Sequence, residues 1–288
     1  MIIKLQNISK RFGQTQALDQ VSVQFGEQKI YGLLGNNGAG KSTMLNVITN
    51  RCIADSGELT LDGRPMRDDD SALSQIYMLG EKNYYPETMR VKEALRWAAV
   101  FYPGFDPALA SKLAERFQLP LKKKITTLST GYSTIFKIVM ALSTNAPFLL
   151  LDEPVLGLDA QHRDIFYKLL IERYSENPCT IVISTHLIAE VAGLIEHCVI
   201  IKNGRIVKDA PSEDLLSGGY TVSGPAALVD EYLRGKDVLS ANNLGGLKTA
   251  CVGGDMPLTP GELPAGLETG KLNLQEYFIQ LMNEGEGQ

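Results

Sequence analysis

The chain has 288 residues, 44% of them apolar and 21% charged, the balance of a soluble globular protein rather than a disordered one. With 28 Lys and Arg against 33 Asp and Glu the net charge is −5, which argues against a general nucleic-acid binder, because that needs excess cation facing phosphates. No run approaches the ~18 apolar residues of a membrane span, and the opening MIIKLQNISKRF has neither the apolar core nor the cleavage site of a signal peptide, so a cytosolic protein is expected.

In chain order, the first 65 residues predict short strands with turns, interrupted by one helix and ending in the hairpin-like DSGELTLDG from Asp55 to Gly63. Within them Gly35, Asn36, Asn37, Gly38, Ala39, Gly40, Lys41 and Ser42 spell GNNGAGKS, a match to GxxxxGK followed by Ser or Thr. Ile30 to Leu34 predicts a strand leading in and Ser42 to Ile48 a helix leading out, the order a phosphate loop requires. Glycines let successive backbone N–H groups turn toward phosphates, and the helix N-terminus adds positive potential. Lys41 can reach the β- and γ-phosphates and the Ser42 hydroxyl can ligate Mg²⁺. A dinucleotide GxGxxG begun at Gly38 and Gly40 fails, because Thr43 stands at the third glycine.

Between Asn83 and Leu121 the pattern turns helical. Val91 to Val100, VKEALRWAAV, keeps its apolar residues on one face, and Pro103, Pro107 and Pro120 punctuate the segment. From Ser129 to Gly204 helical stretches alternate with FLLL (Phe148 to Leu151) and TIVIS (Thr180 to Ser184), which read as buried parallel strands of an α/β sheet with its ligand at their carboxyl ends. The first of these strands runs into Asp152 and Glu153. In a phosphate-loop enzyme the first acid can hold Mg²⁺ through water and the second can orient or deprotonate the attacking water.

After Pro211 the composition becomes Gly-rich, yet Asn273 to Met282, NLQEYFIQLM, predicts a helix with a capping box of Asn273 and Glu276 and an apolar face of Leu274, Tyr277, Phe278 and Leu281. The runs Asp68 to Asp70 and Lys122 to Lys124 read as solvated faces. Cys52, Cys179, Cys198 and Cys251 are too scattered for a CxxC motif and read as buried thiols, and His197 beside Cys198 lacks a second pair at zinc-ligand spacing.

The phosphate loop, LSTGY (Leu128 to Tyr132), LDEP (Leu151 to Pro154), GLDA (Gly157 to Ala160) and STH (Ser184 to His186) together resemble the ordered motifs of the ATP-binding subunits of ABC transporters, over about residues 1–215. The resemblance implies an α/β fold: a P-loop NTPase core with an ABC-type antiparallel β subdomain and an inserted α-helical subdomain (about 83–140), plus a small C-terminal α/β accessory domain. The ATP-binding domain would span 1–218 and the accessory domain 219–288.

Position by position, it implies that Phe12 stacks on adenine, with a core Phe as the open alternative. Lys41, Ser42 and Thr43 would hold phosphate and Mg²⁺, Asp152 the Mg²⁺-bound water, and Glu153 would be the general base. His186 would sense the γ-phosphate, and Asp159, in the D-loop-like GLDA, would be one of the nucleotide-binding residues. Ser129 and Gly131 would approach ATP held by an opposite subunit, which implies a homodimer or a heterodimer with another ATP-binding subunit. Glu81 stands where the family has a glutamine that meets Mg²⁺, keeping an oxygen ligand but adding negative charge, so an altered metal or pH response is expected. Thr130, Tyr132 and Val155 also depart from the family pattern.

The implied activity is hydrolysis of ATP with Mg²⁺ by a subunit peripheral on the inner face of the cell membrane, driving a separate permease and binding no nucleic acid. The segment YYPETMRVKEAL after Glu81 and the Gly-rich tail resemble bacterial export-type subunits. The alternative is a soluble ABC-type ATPase acting on ribosomes or DNA, but such chains usually carry two cassettes or a long coiled coil. A non-catalytic nucleotide sensor is disfavoured by the presence of Lys41, Glu153 and His186.

Overall fold

The structure, a computed structural model, describes residues 1–254, 256 and 263–283; the rest of the expected accessory segment 219–288 lies outside the described residues. The chain begins with an antiparallel ribbon of β1 (Ile2–Phe12) and β2 (Thr15–Gly26). Both are longer than the short strands the sequence predicts. Bulges shift the register between Leu5 and Ile8, Ile8 and Lys10, and Lys10 and Arg11, with Asn7 and Gln20 at positive φ, so the in-out alternation breaks while the pairing continues.

Next come β3 (Ile30–Leu34), buried throughout, and α1 (Lys41–Ile48). The predicted hairpin is β4 (Ser56–Leu61) and β5 (Arg64–Pro65), joined through Asp62 and Gly63 at φ 49° and 77°, the left-handed pair a tight hairpin turn requires. A short α2 (Asp70–Leu73), capped by Asp69, precedes β6 (Ile76–Leu79).

The helical insert follows as α3 (Val91–Phe101), α4 (Pro107–Arg116), a 3₁₀ turn at Ile125–Thr127, and α5 (Thr130–Ser143). Asp106 Oδ1 accepts the Ala108 and Leu109 N–H groups, each at 2.9 Å, just ahead of Pro107 at the first helical position of α4. The core strands and helices then alternate: β7 (Phe148–Asp152), α6 (Ala160–Glu176), β8 (Thr180–Thr185), α7 (Ile188–Val191), β9 (His197–Lys202) and β10 (Arg205–Pro211). The remainder is α8 (Ser212–Leu216), β11 (Gly219–Pro225), α9 (Ala226–Tyr232), β12 (Val238–Leu244), β13 (Leu247–Gly253), β14 (Glu268–Lys271) and α10 (Leu274–Asn283).

Among the described residues the strands form three sheets, ordered β2-β1-β4-β5, β10-β9-β3-β8-β7-β6 and β12-β13-β11-β14. In the second, β9, β3, β8, β7 and β6 run parallel. Every residue of β3, β6, β7 and β8 is buried, which is why these strands are mainly apolar along their length rather than alternating.

The chain divides into two compact units, Met1–His186 with His197–Asp209, and Leu187–Glu196 with Ala210–Gln288. In the first unit one hydrophobic cluster wraps α1, where Met44, Leu45 and Ile48 pack with Leu5 and Phe25 of the ribbon and with Leu33, Leu150 and Val182 of the parallel sheet. The phosphate-loop helix is thereby fixed to both sheets. In the second unit Val229 of α9 packs on Tyr220, Val222, Ala250 and Val252. The capping box predicted for α10 forms, with Glu276 N donating to Asn273 Oδ1 at 2.8 Å and Asn273 N to Glu276 Oε2 at 3.4 Å.

Cys179, Cys198 and Cys251 are buried, as expected, but Cys52 is only half-buried, because it lies past the end of α1 where the chain returns to the surface. Lys122, Lys123 and Lys124 are exposed, and of the acidic run Asp69 caps a helix instead of serving only solvation. No helix among the described residues is long and apolar enough to cross a membrane.

Candidate functional site

The loop from Gly35 to Gly40 leaves the carboxyl end of β3 and turns into α1. Gly40 sits at φ 112° as the N-cap of α1, and a Cβ there would come within 2.5 Å of the Ala17 carbonyl. The position therefore demands glycine for both its dihedral and its space. Lys41 is 6% exposed, and its Nζ donates to the carbonyls of Gly35 at 2.7 Å and Asn36 at 3.2 Å, folding the side chain back over the loop. Burial pushes its ammonium below the ordinary lysine value, while the carboxylates of Glu153 and Asp152 oppose that shift. Ser42 and Thr43 follow on the first turn of α1.

Two strands away, β7 ends at Asp152, which is 8% exposed and accepts a 2.8 Å hydrogen bond from Ser184 Oγ of β8. The parallel register places these two residues opposite one another. Glu153 then adopts φ 48°, a left-handed backbone that costs a residue with a Cβ about 1–3 kcal/mol and that marks sites held by their surroundings. The hold is visible. Its N–H donates to the Ser184 carbonyl at 2.8 Å, its Oε1 lies 2.9 Å from His186 Nδ1, and its Oε2 accepts from Thr185 Oγ1 at 3.3 Å. His186 and Glu153, 33 residues apart in sequence, thus form one unit at the carboxyl ends of β7 and β8.

Three adjoining cavities record which residues converge. One of about 210 Å³ is lined by Gly38, Gly40, Lys41, Ser42, Thr43 and Glu153. A second of about 370 Å³ holds Ser42, Glu81, Asp152 and Glu153, and a third of about 380 Å³ holds Phe12, Ser42, Thr43, Glu81 and Asp152. Phe12 is 53% exposed, with Lys10 Nζ over its ring at 5.4 Å from the centroid, so it is not a core residue. Ser42, Asp152 and Glu81 contribute only oxygens, the donor type Mg²⁺ takes. No cluster of three His, Cys, Asp or Glu able to hold a metal exists among the described residues.

Ser129, Gly131 and Asp159 are not in these walls. Ser129 is the N-cap of α5, accepting from Tyr132 N at 3.3 Å, and Asp159 is the N-cap of α6, accepting from His162 N at 2.9 Å. The two loops touch: a Cβ on Gly131 would meet the Gly157 carbonyl at 3.0 Å, and Thr134 Oγ1 donates to the Leu156 carbonyl at 2.8 Å.

Sequence reasoning missed two residues that shape the site. Ser184, read only as a strand residue of the STH motif, is the partner of Asp152, a pairing set by strand register. Lys137 of α5 donates to the carbonyls of Gly80 at 2.8 Å and Glu81 at 2.5 Å. Burial lowers its ammonium's pKa and the Glu81 carboxylate opposes the shift. No motif signals it, because its partners lie more than fifty residues upstream.

Compared with known proteins, residues 18–156 match the family described as ABC transporter. The ABC transporter ATP-binding protein YtrB of Bacillus subtilis (strain 168) is 31% identical over 190 residues, covering 66% of this chain and 65% of that protein, so the chain spans about two thirds of that relative's length. The petrobactin import ATP-binding protein YclP of the same organism is 30% identical over 227 residues, covering 75% of this chain and 89% of that protein. Among solved structures, a dimeric ATP-binding cassette in a post-hydrolysis state, bound to ADP and Pi, superposes with a TM-score of 0.62 at 25% identity, covering 73% of this chain and 98% of the other.

Proposed function

The chain belongs to the ABC transporter family as an ATP-binding protein, and on that footing we propose that it binds ATP in the Gly35–Ser42 loop, hydrolyses it at Glu153, and drives a separate membrane permease as one of two ATP-binding subunits. The reading is carried by the convergence of Lys41 and Ser42, which follow β3, with Asp152 and Glu153 at the end of β7, beyond the carboxyl ends of parallel strands that flank β8, where open α/β sheets place their ligands. Lys41 meets the β- and γ-phosphates, the loop N–H groups cradle them, and Phe12 stacks on the adenine. Ser42 and Glu81, with Asp152 acting through a water, would hold Mg²⁺, which would supply charge neutralisation along the phosphates. Glu153, held by Thr185 and His186, takes the proton of the attacking water, and His186 reports the γ-phosphate.

Ser129, Gly131 and Asp159 act across a dimer in this reading, each subunit closing the nucleotide held by the other. That assignment accounts for their standing outside the chain's own nucleotide walls. The permease contact falls on a groove of about 510 Å³ lined by Tyr84, Trp97 and Phe101 among others, next to the Glu81 segment. The subunit then sits on the cytoplasmic face of the membrane. We assign the direction as export, on the segment YYPETMRVKEAL and the Gly-rich tail, although relatives such as YclP carry import in their names.

Replacing Glu153 by Gln keeps the hydrogen-bonding shape and removes the base. Hydrolysis, followed by phosphate release, should fall about 100-fold or more, while ATP binding persists and a dimer accumulates in size-exclusion chromatography with ATP. Parental turnover in that variant would overturn the assignment.

A further inference from the structure

Between β6 and α3 the backbone of Gly80 to Tyr84 carries no regular secondary structure, yet it is tied down at three points. Lys137 Nζ donates to the carbonyls of Gly80 at 2.8 Å and Glu81 at 2.5 Å. Asn83 Nδ2 donates to Ser133 Oγ at 3.1 Å, one helical turn before Lys137 on the same face of α5. Arg51 lies over the Tyr84 ring at 5.0 Å. The segment is therefore strapped to the helix that begins at the LSTGY motif, and Lys137 makes the charge-assisted part of the strap.

Lys137 has a second peculiarity. It lines both the 510 Å³ apolar groove and the 370 Å³ cavity that holds Ser42, Glu81, Asp152 and Glu153. Its ammonium forms no ion pair within 4 Å among the described residues; its charge meets two neutral carbonyls, one of them belonging to Glu81, which lines the cavity with Ser42, Asp152 and Glu153. A lysine suits that task. Its three donors on a long stem can hold two successive carbonyls at once, and its charge balances the extra carboxylate that Glu81 brings beside Asp152 and Glu153.

We propose that Lys137 is a positioning residue of the ATPase site, which clamps the Gly80–Glu81 backbone to α5 and so sets where the Glu81 carboxylate stands in the nucleotide cavity. The proposal rests on the ATPase reading above, and its test separates the two. Full-length parent, Lys137→Met and Lys137→Arg would be compared by amide hydrogen exchange and by steady-state ATP hydrolysis at saturating Mg²⁺. Lys137→Met keeps the apolar stem and removes the donors, so exchange across residues 80–84 should quicken about tenfold while β7 stays at the parental rate. The kcat should fall about fivefold or more with KM within about twofold, because placement of the reacting groups is lost rather than ground-state binding. Lys137→Arg, which can still donate to both carbonyls, should restore both readouts.

Parental exchange over residues 80–84 in Lys137→Met overturns the clamp, and so does quickened exchange spread through β7, which would make the lysine a general structural residue. Normal kcat in Lys137→Met alongside local loosening overturns its bearing on the site. If the parent itself hydrolysed no ATP, the ATPase reading would fall, and the exchange of residues 80–84 would still decide the clamp.

Discussion

Glu153 is held at φ 48° by one backbone and two side-chain partners from the end of β8, so the strained residue and its supports come from different strands of one sheet. The phosphate loop needs no such assembly. Its glycines, Lys41 and Ser42 are contiguous, and contiguity made them readable in the sequence. Phe12 was readable as an aromatic but not as an exposed one, because exposure depends on what the fold leaves uncovered. A third residue-scale feature is Asp55, whose carboxyl is held below its usual range by the hydrogen bond from Lys10 and then by the Arg11 N–H. A carboxyl lowered in the folded state contributes stability that is complete above its unfolded value of ~3.9 and is lost as pH falls through the lower folded value. Asp55→Ala should therefore lower Tm at pH 7, and the gap to the parent should shrink as the pH is brought to about 3. Melting curves at the two pH values measure it, and a constant gap would assign the loss to packing instead of charge.

At the scale of elements, α5 is tied to several distant segments. Its N-terminus carries Ser129 as cap and Gly131 against Gly157, Thr134 reaches the Leu156 carbonyl, and Lys137 holds the Gly80–Glu81 backbone. Its other side is anchored by Phe136, which is 0% exposed and stacks edge-on with Tyr85 at 5.2 Å between centroids. Phe136→Ala should cost about 3–5 kcal/mol in urea unfolding, the loss of a buried ring plus its cavity; a loss below 1 kcal/mol would mean that the helix is not anchored there. The extents of elements were partly readable. Helix α3 ends at Phe101 because Tyr102 precedes Pro103 and is driven to extended backbone, at φ −114° and ψ 104°. The full lengths of β1 and β2 were not, because bulges erase the period-2 signal that marks a strand while leaving its hydrogen bonds in place.

For the whole molecule, the proposed partner surface is the exposed aromatic groove, where Trp97 is 44% and Phe101 69% exposed and their rings stack at 6.1 Å. Apolar groups left in water to this extent mark contact surfaces. Trp97→Asp should abolish co-purification with a permease expressed alongside while leaving the ATPase activity of the isolated subunit within about twofold, since the side chain lies outside the nucleotide walls. Retained co-purification would remove the groove from the interface. The sequence by itself determined the family and the α/β order of the core, and it offered the GNNGAGKS loop and the neighbouring Asp152 and Glu153 as candidates, because each is written in a short window or in the apolar run of a buried strand. Only the tertiary structure decided that Ser184 supports Asp152, that His186 meets Glu153, and that Lys137 clamps the backbone of Glu81. Those pairings are set by the register of neighbouring strands and by a helix packed against a distant segment, and no local pattern of residue types encodes which two distant residues will be brought face to face.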